Sequence, residues 1–556
     1  MKKEILAAAA CIAAAACAAL AGCGGGSSGS PTTTGTTTSS SSSSSGGGST
    51  SGTSGPGTDV TTYKNDVGRS GLNATETRLT LSNVASASFG LLHNVPMDGK
   101  VDAQPLYLSQ LSIAGGTHNV VFVATEHGSV YALDANSGAT LWQVSLLKSG
   151  ETTSGSLGCN QVIPEIGVTA TPVIDRGAGA NGTIFIVAMS LDASSNYHQR
   201  LHALDITTGA ELLGGPAEIT ASVATAAGGA NMFVPAQYEE RAALLLANGA
   251  IYTSFTSHCD AQPYSGWIMT YAEGTLAQSA VLNVGPNSNA GPAIWMAGGG
   301  PAADGAGNVF LLTANGTFEP TLNAQGFPNL GDFGNSFVKI TNSGTSLAVA
   351  DYFALTNAVT ESAADTDLGS GGALLLPDVT DAGNTVQHLV VGAGKDGNIY
   401  VVNRDSMGKF SATANNIYQQ LNGALPGGIW STPAYFNSTL YYADAGGSLK
   451  AFSLVAARLV ATPQSQSALQ FTYPGSAPAV SANGTTNGIV WAHENTSPGV
   501  LHAYDAGNLT HELYNSSQAG TRDQFGAGNK FVTPTIADGQ VFLGTTNSLA
   551  IFGLLQ

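Results

Sequence analysis

From residue 59 onwards, hydrophobic and polar positions repeat as one unit of short strands joined by turns. The most regular part of each unit is a strand of the form Gly-x-Leu/Val-x-Ala-apolar-Asp, which follows a Gly-rich turn. The middle positions of these strands are Ala132, Ala203, Thr270, Lys339, Val401, Ala451, Ala503 and Ile551. The copies recur about every 60 residues, a spacing typical of propeller-type repeats.

A second marker precedes many of these strands, namely a Pro at the start of an apolar segment. These residues are Pro105, Pro172, Pro433, Pro478 and Pro534. Pro fits the first residue of a strand, because no ladder N–H is needed there. The apolar runs at 120–124 and 388–392 are typical of strands, and no segment has the period of a long amphipathic helix. The pattern therefore predicts an all-β chain.

Four-stranded units of this kind cannot bury both of their faces alone, whereas a radial arrangement lets each unit cover its neighbours. We therefore predict a single β-propeller over residues 59–556 with eight blades. Seven blades is the alternative, because the third and fourth copies are irregular. The segment Asp59–Asn94 has no repeat strand, and we expect it to pair with the C-terminal blade and close the ring.

The first 58 residues have a different composition. Residues 1–22 have Lys2 and Lys3 followed by an apolar run, which predicts a signal peptide. The run ends in Leu-Ala-Gly before Cys23, which resembles a bacterial lipoprotein signal with Cys23 as the lipidated residue. An ordinary signal peptide with a chance Cys is the alternative. Residues 24–58 are all Gly, Ser, Thr or Pro, so 23–58 is predicted to be a disordered linker with a reach of about 30 Å.

These features predict an exported protein that is lipid-anchored to the cell envelope through Cys23. In the logic of such signals, Gly24 favours the outer membrane, on its periplasmic or surface face. Export also permits a disulfide between Cys159 and Cys259, and two buried free thiols are the alternative.

Charge narrows the classes of partner. The chain has 18 Lys+Arg against 36 Asp+Glu, a net charge of −18, and charged residues make up only 10%. Nucleic-acid binding is therefore excluded, because it needs clustered Lys and Arg. The candidate partners are the membrane, through the lipid, and a small-molecule or protein ligand at the mouth of the propeller.

Two turns connect the repeat with a known family. The sequences at 132–142 and 203–209 look like the repeat of the quinoprotein alcohol dehydrogenases, and Tyr63, Asp66 and Arg69 resemble that family's N-terminal segment. The resemblance covers 59–556. It implies pyrroloquinoline quinone (PQQ) in the central funnel, on a Trp floor, with a Ca²⁺ ion and an Asp base. The repeat superfamily also includes a non-enzyme, the propeller lipoprotein of outer-membrane β-barrel assembly.

The resemblance assigns roles to individual residues. Trp295 matches the family's Trp floor and Asn315 its calcium ligand, while Asp365 and Asp367 lie where the catalytic Asp is found. Asp365 is also a candidate metal ligand, and Lys395 a candidate quinone contact. The chemistry is coherent, since an aromatic face stacks on a flat cofactor and amide and carboxylate oxygens suit Ca²⁺.

Repeat register gives a wider set, because loops that enter the innermost strand of each blade should converge on one mouth of the funnel. This set is Gln104, Glu165, Gln237, Trp295, Asp367, Trp430 and Lys530. Of these, Glu165 and Trp430 are further candidate cofactor contacts. The alternative is that several of them only cap strands.

Two other groups favour structural interpretations. The segment 365–371 resembles part of a calcium loop, but an Asx turn followed by glycines explains it as well. The triplet His258-Cys259-Asp260 predicts a loop packed on aromatics rather than a metal site, because successive strand residues face opposite sides.

Three departures from the family affect the functional prediction. No two Cys are adjacent, no Glu in 191–200 matches the family's calcium ligand, and no Cys-x-x-Cys-His is present to attach haem. We therefore favour a binding or scaffold module with a degenerate cofactor site. The alternatives are a divergent PQQ- and Ca²⁺-dependent alcohol or sugar dehydrogenase and a structural envelope protein that binds partners through its blade edges.

Overall fold

The computed structural model describes residues 59–155, 158–288 and 290–555. The predicted signal peptide, Cys23 and the linker lie outside the described residues. Within the described part, the helices are short: the α-helix Ala358–Ala363 and the 3-10 helices Pro235–Gln237, Met296–Gly298 and Leu368–Ser370. None of them has the length and apolarity to cross a bilayer.

The described strands form eight four- or five-stranded sheets, which are the blades of a β-propeller. In order, the strands of blades 1 to 4 are Leu106–Ile113, Gly116–Ala124, Ser129–Asp134 and Thr140–Ser145; Val173–Asp175, Thr183–Leu191, Tyr197–Asp205 and Ala217–Glu218; Tyr238–Glu239 with Leu245–Ala247, Ala250–Ser257, Trp267–Ala272 and Gln278–Asn283; and Ala302–Ala303, Val309–Leu312, Ser336–Asn342 and Leu347–Ala354.

The strands of blades 5 to 8 are Leu374–Leu375, Leu389–Ala393, Ile399–Asn403 and Gln419–Leu421; Ala434–Phe436, Thr439–Ala443, Gly447–Val455 and Arg458–Leu459 with Ser465–Phe471; Ala479–Asn483, Thr486–Glu494, Val500–Asp505 and Glu512–Asn515; and Thr535–Ala537, Gln540–Gly544, Ser548–Leu554 and Phe89–Pro96. Three small hairpins join Ser154–Gly155 to Glu165–Ile166, Ser222–Ala224 to Ala230–Met232, and Val379–Thr380 to Val386–Gln387.

The eight-bladed prediction is confirmed, since all eight predicted repeat positions lie on the third strand of their blades. Each of the five Pro markers directly precedes a first strand. The predicted ring closure is confirmed for the end of the segment 59–94, because Phe89–Pro96 pairs antiparallel with Ser548–Leu554 and completes blade 8. This pairing covers an edge that would otherwise be open. The prediction was wrong for residues 60–76, which bond to first strands around the ring.

The hydrophobic core is a ring of clusters, each between adjacent blades. Val120, Phe122 and Ala124 pack toward blade 2, whereas Val121 and Val123 pack toward blade 8. This alternation follows from the two-residue period of a strand. Both faces of the blade are therefore buried, which is why residues 120–124 are all apolar.

The segment Val60–Glu76, which we call the axial segment, lies at the centre of the ring. First strands of neighbouring blades contact one another around the axis. The axial segment hydrogen-bonds to every blade at or next to its first strand, at Tyr107, Ile174, Leu244, Ala303, Leu375, Tyr435, Val480 and Ile536. These bonds are 2.7–3.1 Å long and involve mostly backbone groups.

Two buried cations fix the axial segment to carbonyl groups. Arg69 is fully buried and donates to the carbonyl oxygens of Pro301 at 2.8 Å and Leu244 at 3.1 Å. Lys64 is equally buried and donates to the carbonyl oxygens of Pro433 and Pro478. Burial lowers the pKa of Arg69 to about 10 and that of Lys64 to about 7. Hydrogen bonds to the carbonyl groups stabilise both side chains at the axis. For Lys64 the free-energy cost of burying the charged form remains, as its lowered pKa shows.

We expect the stability of the fold to increase with pH through the titration of Lys64. The folded state has a Lys64 pKa of about 7 against 10.5 for an exposed lysine. Between those two pH values the unfolded state binds one proton more than the folded state. The free energy of unfolding therefore rises with pH, in total by roughly a few kcal/mol. Urea unfolding of the wild type and Lys64→Met over this range measures the difference.

The control is Lys148→Met, which removes an exposed lysine. Its stability should parallel that of the wild type at every pH. A constant difference between the wild type and Lys64→Met from neutral to alkaline pH would show that Lys64 keeps an ordinary pKa.

Candidate functional site

A cavity of about 190 Å³ lies at the end of the ring where the first strands begin. Its lining residues are Gln161, Arg241, Asp260, Trp295, Ala297, Asn315, Asp365, Asp367, Ser370, Lys395, Trp430, Tyr473, Lys530 and Phe531. Several of them lie a few residues before a first strand, as the register argument predicts. The buried Tyr63 of the axial segment lies beside Thr432 and Thr533, each two residues after a lining residue, Trp430 and Phe531.

Trp295 reaches the cavity from an unusual turn. The two residues after it, Met296 and Ala297, have φ of 45° and 42°, and Gly298 follows with φ of 83°. Consecutive left-handed non-Gly residues cost energy and persist only where the surroundings hold them. The turn leaves Trp295 partly exposed at the cavity while Met296 is buried in the core between blades.

Four polar residues form one connected cluster on the wall of the cavity. The Lys395 Nζ lies 3.0 Å from Asp365 Oδ1 and 2.5 Å from Asp367 Oδ2. Asn315 donates its side-chain amide to Asp365 at 2.7 Å and its backbone N–H to Asp367 at 2.6 Å. The structure thus brings together four residues that lie up to 80 positions apart in sequence.

Burial sets the acid–base behaviour of this cluster. Burial raises the pKa of Asp367, and the neighbouring Lys395 offsets this only in part. Burial alone would lower the pKa of Lys395, but the Asp367 and Asp365 carboxylates outweigh it and the pKa is raised. Lys395 is therefore held as a cation, and Asp367 is a stronger base than an exposed carboxylate.

Arg241, Lys530 and Phe531 form a second, positively charged part of the wall. The guanidinium of Arg241 lies 4.7 Å from the centre of the Phe531 ring, and the Lys530 ammonium 5.3 Å from it. Burial and the nearby charges of Arg241 and Lys100 lower the pKa of Lys530. Arg241 is almost fully buried, and its one carboxylate contact among the described residues is with Glu239 at 3.3 Å. This region favours an anionic group.

Aromatic side chains make up much of the remaining wall. Trp430 and Tyr473 meet edge to face with ring centres 5.2 Å apart, and Tyr473 meets Phe531 in the same manner at 6.4 Å. Tyr473 is 54% exposed although it is large and apolar. Exposed aromatic faces beside charged groups are typical of sites for flat ligands.

Four of the seven residues predicted from repeat register line the cavity: Trp295, Asp367, Trp430 and Lys530. Gln104 instead lies buried beside the axial segment, where its side chain accepts the backbone N–H of Lys64 at 3.0 Å. Glu165 accepts a hydrogen bond from Thr153 at 2.6 Å and pairs with His127, outside the cavity lining. Gln237 ends a 3-10 helix ahead of blade 3.

Arg241 was not predicted from repeat register because the first strand of blade 3 is divided in two. Its inner edge has two short strands, Tyr238–Glu239 and Leu245–Ala247, so the residue at the cavity is four positions after Gln237. The charged triplet Glu239-Glu240-Arg241, in a chain that is only 10% charged, was the available signal. Phe531 and Tyr473 had no comparable signal.

The structure bears on two alternatives left by the sequence, the turn at Asp367 and the pairing of the cysteines. Asp367 makes no capping bond to the turn that follows it, and its carboxylate bonds instead to Asn315 and Lys395.

Cys159 and Cys259 form a disulfide with a Cα–Cα distance of 5.4 Å. The Cys259 backbone N–H donates to Gln161 Oε1 at 3.0 Å. Because Gln161 and Asp260 line the cavity, the disulfide supports its wall.

The residues present fit PQQ better than they fit Ca²⁺. A flat, anionic quinone matches exposed aromatic faces next to buried cations. Asn315, Asp365 and Asp367 offer the oxygen donors of a hard cation. However, the Lys395 ammonium contacts both carboxylates, so the point between them already has a positive charge. Ca²⁺ does not fit this arrangement.

Comparison with known proteins supports the repeat and the fold. The family model described as outer membrane protein assembly factor BamB matches residues 100–254. No curated protein matches the chain at a significant level.

Among solved structures, the quinohemoprotein alcohol dehydrogenase of Comamonas testosteroni has a TM-score of 0.58 at 13% identity, covering 89% of this chain and 80% of that one. The quinohemoprotein alcohol dehydrogenase ADHIIG of Pseudomonas putida HK5 has a TM-score of 0.57 at 13% identity, covering 90% and 80%. A europium-containing methanol dehydrogenase has a TM-score of 0.54 at 13% identity, covering 89% and 98%. At this identity the likeness establishes the fold. The fold is thus a β-propeller, and residues 100–254 are similar to the repeat of that family model.

Proposed function

We propose that the funnel cavity binds a flat, anionic aromatic ligand of the PQQ class and that the protein is a ligand-binding propeller. The observation that supports this most is the pair of cations Arg241 and Lys530 beside exposed aromatic rings. Glu239 is the one carboxylate among the described residues that contacts Arg241. A ligand carboxylate beside the two cations would relieve the like-charge repulsion that helps to lower the pKa of Lys530.

The Lys395 cluster supplies the second part of the proposed site. A quinone oxygen near Lys395 would receive a charge-assisted hydrogen bond, because the two carboxylates keep that ammonium protonated. The protein would therefore hold the ligand without a divalent ion. The rings of Trp295 and Trp430 offer flat faces for stacking.

An oxidoreductase of alcohols or sugars is the second candidate function. Asp367 favours it, because this carboxylate has a raised pKa and lines the cavity together with Lys395. Asp367 could accept the proton of a substrate hydroxyl group, while bound PQQ would supply the redox chemistry.

We further propose that lipid on Cys23 and the linker 24–58 display this propeller at the cell envelope. The support is the sequence around Cys23 described above. Radiolabelled palmitate should be incorporated into the chain and not into its Cys23→Ser variant. Equal incorporation in the two would exclude Cys23 as the anchor.

We expect the full chain in mild detergent to bind PQQ, and Trp295→Ala to weaken binding on the order of tenfold, because a stacking face is lost. Quinone absorbance and the shift in melting temperature measure binding. Trp142→Ala is the control, since Trp142 lies on the outer strand of blade 1 and donates to Ile206. No binding at high micromolar PQQ would contradict the proposal.

The same samples separate the two candidate functions. With PQQ bound, reduction of an artificial electron acceptor by alcohols or sugars, lost in Asp367→Asn, would establish the oxidoreductase. Binding of PQQ without turnover of any alcohol or sugar would support the ligand-binding function instead.

If the Lys395 ammonium takes the place of a divalent ion, Ca²⁺ should affect PQQ binding only when Lys395 is replaced. Wild-type binding of PQQ should be unchanged by EDTA. Lys395→Met should bind about tenfold more weakly in EDTA, because a charge-assisted hydrogen bond is lost. Added Ca²⁺ should then restore much of the affinity, since Asn315, Asp365 and Asp367 become free to coordinate it.

Lys530→Met is the matched control, because it also removes one ammonium from the cavity wall. Its loss of affinity should not respond to Ca²⁺. If EDTA abolishes wild-type binding, or if Ca²⁺ rescues both variants equally, Lys395 does not replace a divalent ion.

A further inference from the structure

Cys159, His258 and Cys259 lie together next to two residues that line the cavity, Gln161 and Asp260. The two sulfur atoms and one imidazole nitrogen are all within 4.8 Å of one another. His258 is fully buried, whereas both cysteines are partly exposed. Two thiolates and an imidazole are typical ligands of thiophilic cations with a filled d shell, such as Zn²⁺ and Cu⁺.

The backbone explains why His258 and Cys259 reach the same point. The second strand of blade 3 ends at Ser257, so the alternation of side chains along a strand no longer applies. Cys259 and Asp260 then have φ of 59° and 50°, which turns the chain sharply. The sequence-based expectation that these neighbours face opposite sides was therefore wrong for His258 and Cys259.

We propose that Cys159, Cys259 and His258 form a redox-gated metal site, closed as a disulfide under oxidising conditions and able to bind Zn²⁺ or Cu⁺ after reduction. The proposal is independent of the ligand proposed for the cavity. It assigns the cluster a chemical role in addition to its support of the cavity wall.

A dithiol can reduce the Cys159–Cys259 disulfide. A thiolate of the dithiol attacks one sulfur of the Cys159–Cys259 bond, the S–S bond breaks, and a mixed disulfide forms. The second thiol of the dithiol then releases the protein, so the dithiol is oxidised and two protein thiols remain. Metal binding displaces one proton from each thiol. The partial exposure of both cysteines allows this attack.

The location of the site links its state to the cavity. Cys259 donates its N–H to Gln161, and Asp260 follows it directly; both Gln161 and Asp260 line the cavity. The disulfide joins segments 100 residues apart. A metal bound to the same three residues would keep these segments joined, whereas the reduced, metal-free form would not.

The test uses the full chain in mild detergent, with Co²⁺ as the spectroscopic substitute for Zn²⁺. After reduction by a phosphine, one Co²⁺ per chain should produce a thiolate-to-cobalt charge-transfer band in the near ultraviolet. The oxidised chain should show none. Competition with a Cu⁺-specific chelator and with a Zn²⁺-specific chelator then shows which of the two ions the site prefers.

Variants separate this site from adventitious binding. His258→Gln should weaken Co²⁺ binding about tenfold or more, while His127→Gln, which removes an exposed histidine near Glu165, should not. Circular dichroism checks that the reduced chain stays folded. Should it unfold, Cys159→His provides three ligands without reductant and should bind Zn²⁺ in the folded state.

Two results would overturn the proposal. One is equal Co²⁺ binding by the oxidised and the reduced chain. The other is a folded reduced chain that gives no charge-transfer band with Co²⁺ and retains no Cu⁺ against the Cu⁺-specific chelator. If the reduced chain unfolds, the corresponding result is no Zn²⁺ binding by folded Cys159→His.

Discussion

The hydrogen bonds between the axial segment and the first strands determine how the ring is assembled. Hydrogen bonds within each sheet join the strands of a blade, but the inner edges of all eight first strands would otherwise be open at the axis. The axial segment bonds at all eight positions, and Arg69 and Lys64 add donors to carbonyl groups of four blades. Buried donors of this kind are costly when left unpaired. A ring with one blade fewer or more would leave some of these groups without partners, so the segment specifies the number of blades as well as closing the centre.

The cavity follows from the same constraint. Most of its wall comes from the loops that precede the first strands, and the rest from loops between second and third strands. Since these loops come from most of the ring, residues distant in sequence meet there. Six of the 14 lining residues are charged in a chain that is only 10% charged, and desolvation strengthens their interactions. The wall has two electrostatic regions: the carboxylates balanced by Lys395, and the less balanced cations Arg241 and Lys530. That asymmetry would orient an anionic ligand within the cavity.

The sequence predicted the blades well because each blade is encoded locally. Even the weak repeats at Thr270 and Lys339 lie on third strands, since the period of the pattern and the turn residues suffice to define a sheet. The axial segment was not predictable in this way, because it bonds mainly through its backbone to eight different strands and has no period. The site was partly predictable: the resemblance located Trp295 and Lys395, but Arg241 depends on the divided inner edge of blade 3, and only the folded backbone reveals such an irregularity.

The position of the axial segment in the sequence also determines when the centre of the ring can form. It emerges from the ribosome before any blade, yet Asn73 bonds to Ile536, 463 positions later. Contacts of such separation form late, because the entropy of closing the intervening chain must be overcome first. Lys64 and Asn73 remain without their partners Pro478 and Ile536 until blades 7 and 8 have been translated. A truncated chain could therefore build individual blades but not a satisfied centre, so the axis acts as a check that the polypeptide is complete.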